Sequence, residues 1–108
     1  MVIPLTDNLI TDDILKKNSD IILAASRLKV LSHPIRLKII CQLAHAEKTV
    51  QQLIDHVGTT QSNVSQHLAI MRQSNILNCR KSATQVFYKV ADLRTIELVK
   101  LLKQVYCS

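Results

Sequence analysis

Gln61, Ser62, Asn63, Ser65, Gln66 and Arg72 fall in one stretch of the chain that contains no carboxylate. Amide and hydroxyl side chains donate and accept hydrogen bonds, as the base edges in the major groove of DNA require, and an arginine beside them can take a phosphate. The other reactive side chains are thiols, Cys41, Cys79 and Cys107. In a reducing compartment three cysteines are expected as thiols rather than structural bridges, so any pair of them is a candidate sensor.

Those polar residues need a helix to present them. Val64, Leu68 and Met71 recur at helical spacing through the same stretch, as do Val50, Leu53, Ile54 and Val57 before it, so two short amphipathic helices can share one core. Gly58 between them supplies the positive backbone angle that ends a helix, and Thr60 can accept the first free amides of the next. Thr49 to Ser74 therefore reads as a helix-turn-helix whose second helix turns Gln61, Ser62, Ser65 and Gln66 toward bases and Arg72 toward phosphate. His67 lies beside the apolar stripe and is expected to be structural.

Charge points the same way. The chain has 14 basic residues against 8 acidic, a net +6 with histidine neutral, and no acid occurs between Asp55 and Asp92. Arg72, Arg80, Lys81 and Lys89 fall in that gap, whereas Asp7, Asp12, Asp13 and Asp20 gather near the N-terminus. A surface that lies on phosphates must avoid carboxylates, which would repel the backbone it approaches.

The flanking segments supply support. A ten-residue arm containing Pro4 leads to a long helix, Asp12 to Leu31 capped by Thr11, and residues 11–108 make one domain. Ile14, Ile21 and Leu28 are seven apart, with Leu15 and Ile22 beside them, an apolar surplus that predicts a partner subunit. Ser32, His33 and Pro34 break this helix and start a second, buried one that runs to Ala46. Ile76 to Lys81 and Gln85 to Val90 are extended runs joined by Ser82, Ala83 and Thr84, a β-hairpin with Arg80 and Lys81 at its tip facing phosphates and Cys79 packed on a strand. Asp92 caps a last helix, Leu93 to Tyr106, whose apolar band would share the dimer interface.

The fold class is thus mainly α with a β-hairpin: a dimeric winged helix-turn-helix with an extra helix at each end. The sequence excludes several other classes. It shows neither a signal peptide nor an apolar run of the roughly 20 residues that a membrane helix needs, so a cytoplasmic location is expected. A thiol enzyme would show a Cys-x-x-Cys motif or a phosphate loop, and neither occurs; no cofactor is expected.

Three segments, LSHPIRLKIICQL from Leu31 to Leu43, QSNVSQHLAIMR from Gln61 to Arg72 and RKSATQVFYKV from Arg80 to Val90, together resemble the ArsR/SmtB family of bacterial dimeric repressors. The resemblance implies a homodimer on palindromic operator DNA that an inducer releases. The family's metal-sensing members carry a two-cysteine box where this chain has Glu47, Lys48, Thr49, Val50, Gln51, Gln52 and Leu53, or an Asp-x-His pair on the last helix where it has Asp92 and Arg94. Both departures count against those metal sites. Cys41 and Cys107 instead look like the sulfide- and redox-responsive branch, in which two thiols so placed become bridged by a disulfide or a polysulfide chain. Reactive sulfur species or an oxidant would then be the inducer. The alternative is a metal-responsive repressor using Cys41, His45 and Cys107, since Cys41 and His45 share a helix face, although the set lacks a fourth ligand.

Overall fold

The computed structural model describes residues 17–107. In chain order its elements are α1 (Asn18–Leu31), α2 (Pro34–Leu43), β1 (Lys48–Thr49), α3 (Val50–Val57), α4 (Gln61–Gln73), β2 (Leu77–Ser82), β3 (Gln85–Val90) and α5 (Leu93–Tyr106). The N-terminal arm and the Thr11 cap lie outside the described residues.

The helix-turn-helix is built by its caps. Thr49 accepts the Gln52 amide on its hydroxyl at 3.2 Å while Gln52 Oε1 accepts the Thr49 amide at 2.9 Å, a reciprocal box that satisfies amides the first turn leaves free. Gly58, at φ +81°, closes α3 with its amide on the Ile54 carbonyl. Two residues later the Thr60 hydroxyl takes the Asn63 amide at 3.2 Å and opens α4. The expected apolar faces then meet. Leu53 and Val57 of α3, Val64, Leu68 and Met71 of α4, and Ile39, Ile40 and Leu43 of α2 are buried together, with Ile76, Leu77, Leu31 and Val99 closing the core. Each such side chain contributes about 1.5–3 kcal/mol when fully removed from water.

The wing is a three-stranded antiparallel sheet in the order β1, β3, β2. Ser82 pairs with Gln85 next to the turn, and Leu77 pairs with Val90 at the base. The sequence predicted only the hairpin. β1, two residues long and paired through Lys48 to Tyr88 and Thr49 to Phe87, is too short to carry an alternating pattern of its own.

Three expected boundaries move. Lys17 is extended and interrupts the helix expected over Asp12 to Leu31, so the described helix begins at Asn18, with Asn18, Ser19 and Asp20 in its first turn; the expected start at Asp12 lies outside the described residues. The second helix stops at Leu43 instead of Ala46. Arg80 and Lys81 stand opposite Phe87 and Val86 within the strands, not at the hairpin tip, which is Ala83 and Thr84.

The outer helices are the least covered. α1 meets the core through Leu31, with Val30 packed against it, while Ile21, Ile22, Leu23 and Leu28 are exposed. On α5, Val99 and Thr95 are buried, but Leu93, Leu101, Val105 and Tyr106 face out. Asp92 caps α5 by accepting the Arg94 amide at 2.9 Å, and the Arg94 guanidinium returns to the same carboxylate. These hydrogen bonds, side chain first and backbone second, hold the Asp92 carboxyl down at about 2. No helix among the described residues is long and apolar enough to cross a membrane.

Candidate DNA-reading face and thiol pair

With Val64, His67, Leu68 and Met71 turned inward, α4 presents Gln61, Ser62, Ser65, Gln66 and Arg72 to solvent. Asn63 is turned back instead: its side-chain amide donates to Thr59 Oγ1 at 3.0 Å and reinforces the turn. Gln61 also borders a groove with Gln51 of α3 and Gln85 of the wing, so the start of α4 and the hairpin end lie on one side of the molecule.

At its other end α4 meets the wing across a cleft of about 440 Å³, lined by Arg72, Asn75, Cys79, Arg80 and Lys89 among others. Lys81 is exposed on the wing. Arg80 is exposed too, yet it is not an unengaged cation. Its guanidinium lies 4.6 Å over the Phe87 ring and holds the Glu47 carboxylate through Nε, 3.1 Å from both oxygens, and through Nη2. The Arg80 hydrogen bonds lower the pKa of Glu47; burial opposes them, and the charges of Arg80 and then Lys89 add to the lowering. A stretch free of acids in sequence is therefore not free of them in space. Glu47 stands 33 positions from Arg80, and no local spacing rule reaches that far.

His67 is structural, as its place beside the apolar stripe suggested, and it has partners that the sequence did not reveal. Its Nδ1 accepts the Arg36 Nε–H at 3.1 Å, and its ring lies 4.4 Å from that of His33. Burial foremost, then the neighbouring His33 and Arg36, lower the His67 pKa.

The thiols are all free. Cys79 is half-buried on β2, opposite Tyr88. Cys41, on a helix whose apolar residues suggested burial, is exposed. It borders a groove between α2 and α5 with Ala44, His45, Ile96, Lys100 and Lys103. Cys107, also exposed, follows α5 directly and donates its amide to the Lys103 carbonyl at 2.8 Å. One thiol thus borders the groove along α5 from Ile96 to Lys103, and the other follows the end of that helix. His45 borders the same groove, but no three His, Cys, Asp or Glu side chains among the described residues assemble to hold a metal, so the Cys41, His45 and Cys107 set is not formed within the chain.

Comparison with known proteins adds a lineage. Residues 33–78 match the family model for bacterial regulatory proteins of the arsR family. The biofilm growth-associated repressor of Xylella fastidiosa is 36% identical over 84 residues, which span 78% of this chain and 74% of that protein. Among solved structures, the transcriptional repressor BigR from Xylella fastidiosa superposes with a TM-score of 0.80 at 33% identity, covering 91% of this chain and 98% of its own. Reduced HlyU from Vibrio cholerae does so with a TM-score of 0.77 at 33% identity, covering 83% and 95%.

Proposed function

The chain belongs to the bacterial arsR family of regulatory proteins, and from that premise we propose that it is a cytoplasmic, homodimeric repressor released from operator DNA when Cys41 and Cys107 become bridged by a disulfide or polysulfide chain. Gln61, Ser62, Ser65 and Gln66 read bases, while Arg72, Arg80 and Lys81 hold phosphates. The observation that carries the DNA reading is that all seven side chains are exposed on α4 and the wing, the helix's apolar side being spent on the core. The exposed apolar rows of α1 and α5 supply the surface that a second copy would cover.

For the switch, the carrying observation is that both thiols are free and exposed, Cys41 beside the α2–α5 groove and Cys107 directly after α5. Joining them removes two protons and two electrons, accepted by peroxide to give water or by a polysulfide to give shorter sulfur species. A direct disulfide needs Cα atoms within about 7 Å, whereas intervening sulfur atoms span more. Either bridge ties the end of α5 to the helix that supports α4, which would shift the reading face. A relative described as reduced HlyU fits a family in which redox state matters. For the metal-responsive alternative, Cys41 and His45 border one groove, but no three His, Cys, Asp or Glu side chains among the described residues gather to hold a metal.

The test is mass spectrometry of protein exposed to persulfide, polysulfide or peroxide, alongside anisotropy on a duplex that the protein selects from a random-sequence pool. A Cys41–Cys107 link with added sulfur and loss of binding are expected, and Cys107→Ser abolishes both. Independent modification of each thiol, without a link, would sink the sensor while leaving the DNA reading intact. Binding that does not weaken steeply with salt would sink the DNA reading itself, because phosphate contacts release counterions.

A further inference from the structure

A cluster that the proposed switch does not use joins three elements. Arg36, on α2, donates through Nε to His67 of α4 at 3.1 Å and through Nη1 to the Val30 carbonyl near the end of α1 at 3.0 Å. His33, the N-cap of α2, accepts the Ile35 amide on its own Nδ1 at 3.1 Å and lays its ring against His67. One guanidinium therefore links the outer helix that carries the exposed apolar row to the buried side of the reading helix. His67 is 8% exposed, so its ring has little water to substitute for these partners.

The hydrogen-bond roles fix a protonation state. An Arg Nε–H only donates, so His67 Nδ1 must carry a lone pair and the ring is neutral with its proton on Nε2. A second proton would set donor against donor at 3.1 Å and put a positive ring between Arg36 and His33. From α2, His33 and Arg36 are the groups that face it, and both oppose that proton. The other elements packed on α4, namely α3 and β2, present no titratable or charged group that perturbs it. Among the described residues no carboxylate stands by to stabilise the imidazolium.

We propose that Arg36 and neutral His67 act as positioning residues that set the reading helix against the outer helix, so that protonation of His67 weakens operator binding. This rests on the DNA reading above and is independent of the thiols. The sign follows from the lowered pKa of His67. The contribution of the neutral ring to the folded arrangement is complete above its unfolded value near 6.5 and is lost as pH falls through the lower folded value.

The experiment follows anisotropy of the self-selected duplex from about pH 8 to about pH 5.5 at constant ionic strength, for wild type and His67→Asn, whose carbonyl can keep the acceptor at the Nδ1 position without titrating. Wild type should lose affinity about fivefold to tenfold on acidification, at the lower end of couplings between sites, and the variant should bind as wild type does at pH 8 and hold that affinity. In parallel, ring ¹⁵N spectra of the free wild-type protein should show Nδ1 unprotonated at pH 8, with the α4 amides shifting as His67 titrates. An Nδ1 that carries the proton at pH 8, or α4 amides indifferent to the titration, overturns the proposal even if the variant fails to fold. A variant that loses affinity in parallel with wild type overturns it as well. Failure to bind any duplex at pH 8 counts instead against the DNA reading.

Discussion

The helix-turn-helix and the two outer helices use similar amounts of apolar sequence to different ends. In α3 and α4 every large apolar side chain is buried or half-buried, both N-termini are capped by threonine, and the join is closed by Gly58. In α1 and α5 the caps are weaker or acidic, and much of the apolar surface is exposed, Ile22 at 67% and Val105 at 64%. The first pair is complete within one chain. The second leaves apolar faces uncovered by the described residues, and a face left that open is what the proposed second subunit would cover.

Substitutions can break or sharpen that contrast. The largest effect is expected inside the complete pair: Leu68→Ala, at a fully buried position, should cost about 3 kcal/mol in denaturant unfolding, close to the usual loss for a core leucine. Next is its cap. Thr60→Ala should cost about 1 kcal/mol in the same titration, because the Asn63 amide loses its acceptor. On the open side Ile22→Glu should leave the fold of the chain within about 0.5 kcal/mol, as surface changes do, while sedimentation reports a fall to a single chain. If Ile22→Glu instead unfolds the chain, the outer helices are part of one core with the inner pair and the contrast fails.

The smallest effects belong to the exposed ion pairs. The carboxyls of Glu47 and Asp92 both have lowered pKa values. What they contribute is present above their unfolded values and is lost as pH falls through the folded ones, for Asp92 through about 2. Carboxyl ¹³C titration should show Asp92 protonating last, and Arg94→Gln should bring it back toward its ordinary value.

Most of the fold was legible because it is written in local periods. The 3.6-residue spacing located all five described helices, and threonine, glycine and aspartate marked the ends of α3, α4 and α5. What the sequence hid depends on distant partners. β1 has two residues, Arg80 meets Glu47 across 33 positions and Arg36 meets His67 across 31, and none leaves a periodic trace. The exposure of Cys41 was hidden for a related reason. The apolar residues of α2 suggest burial all round, but which side faces the α5 groove is decided by tertiary packing. The residues proposed to read bases could be named from the sequence because helical phase alone assigns them to the side opposite Leu68.

Thr49 is at once the last rung of β1, opposite Phe87, and the residue whose hydroxyl starts α3. A strand so short has no cooperativity of its own, so its backbone opens only when the wing or the helix start opens with it. In amide hydrogen exchange the base of the wing and the first turn of α3 should therefore behave as one unit, and a contact that quiets the wing will slow exchange at Gln52 without touching it.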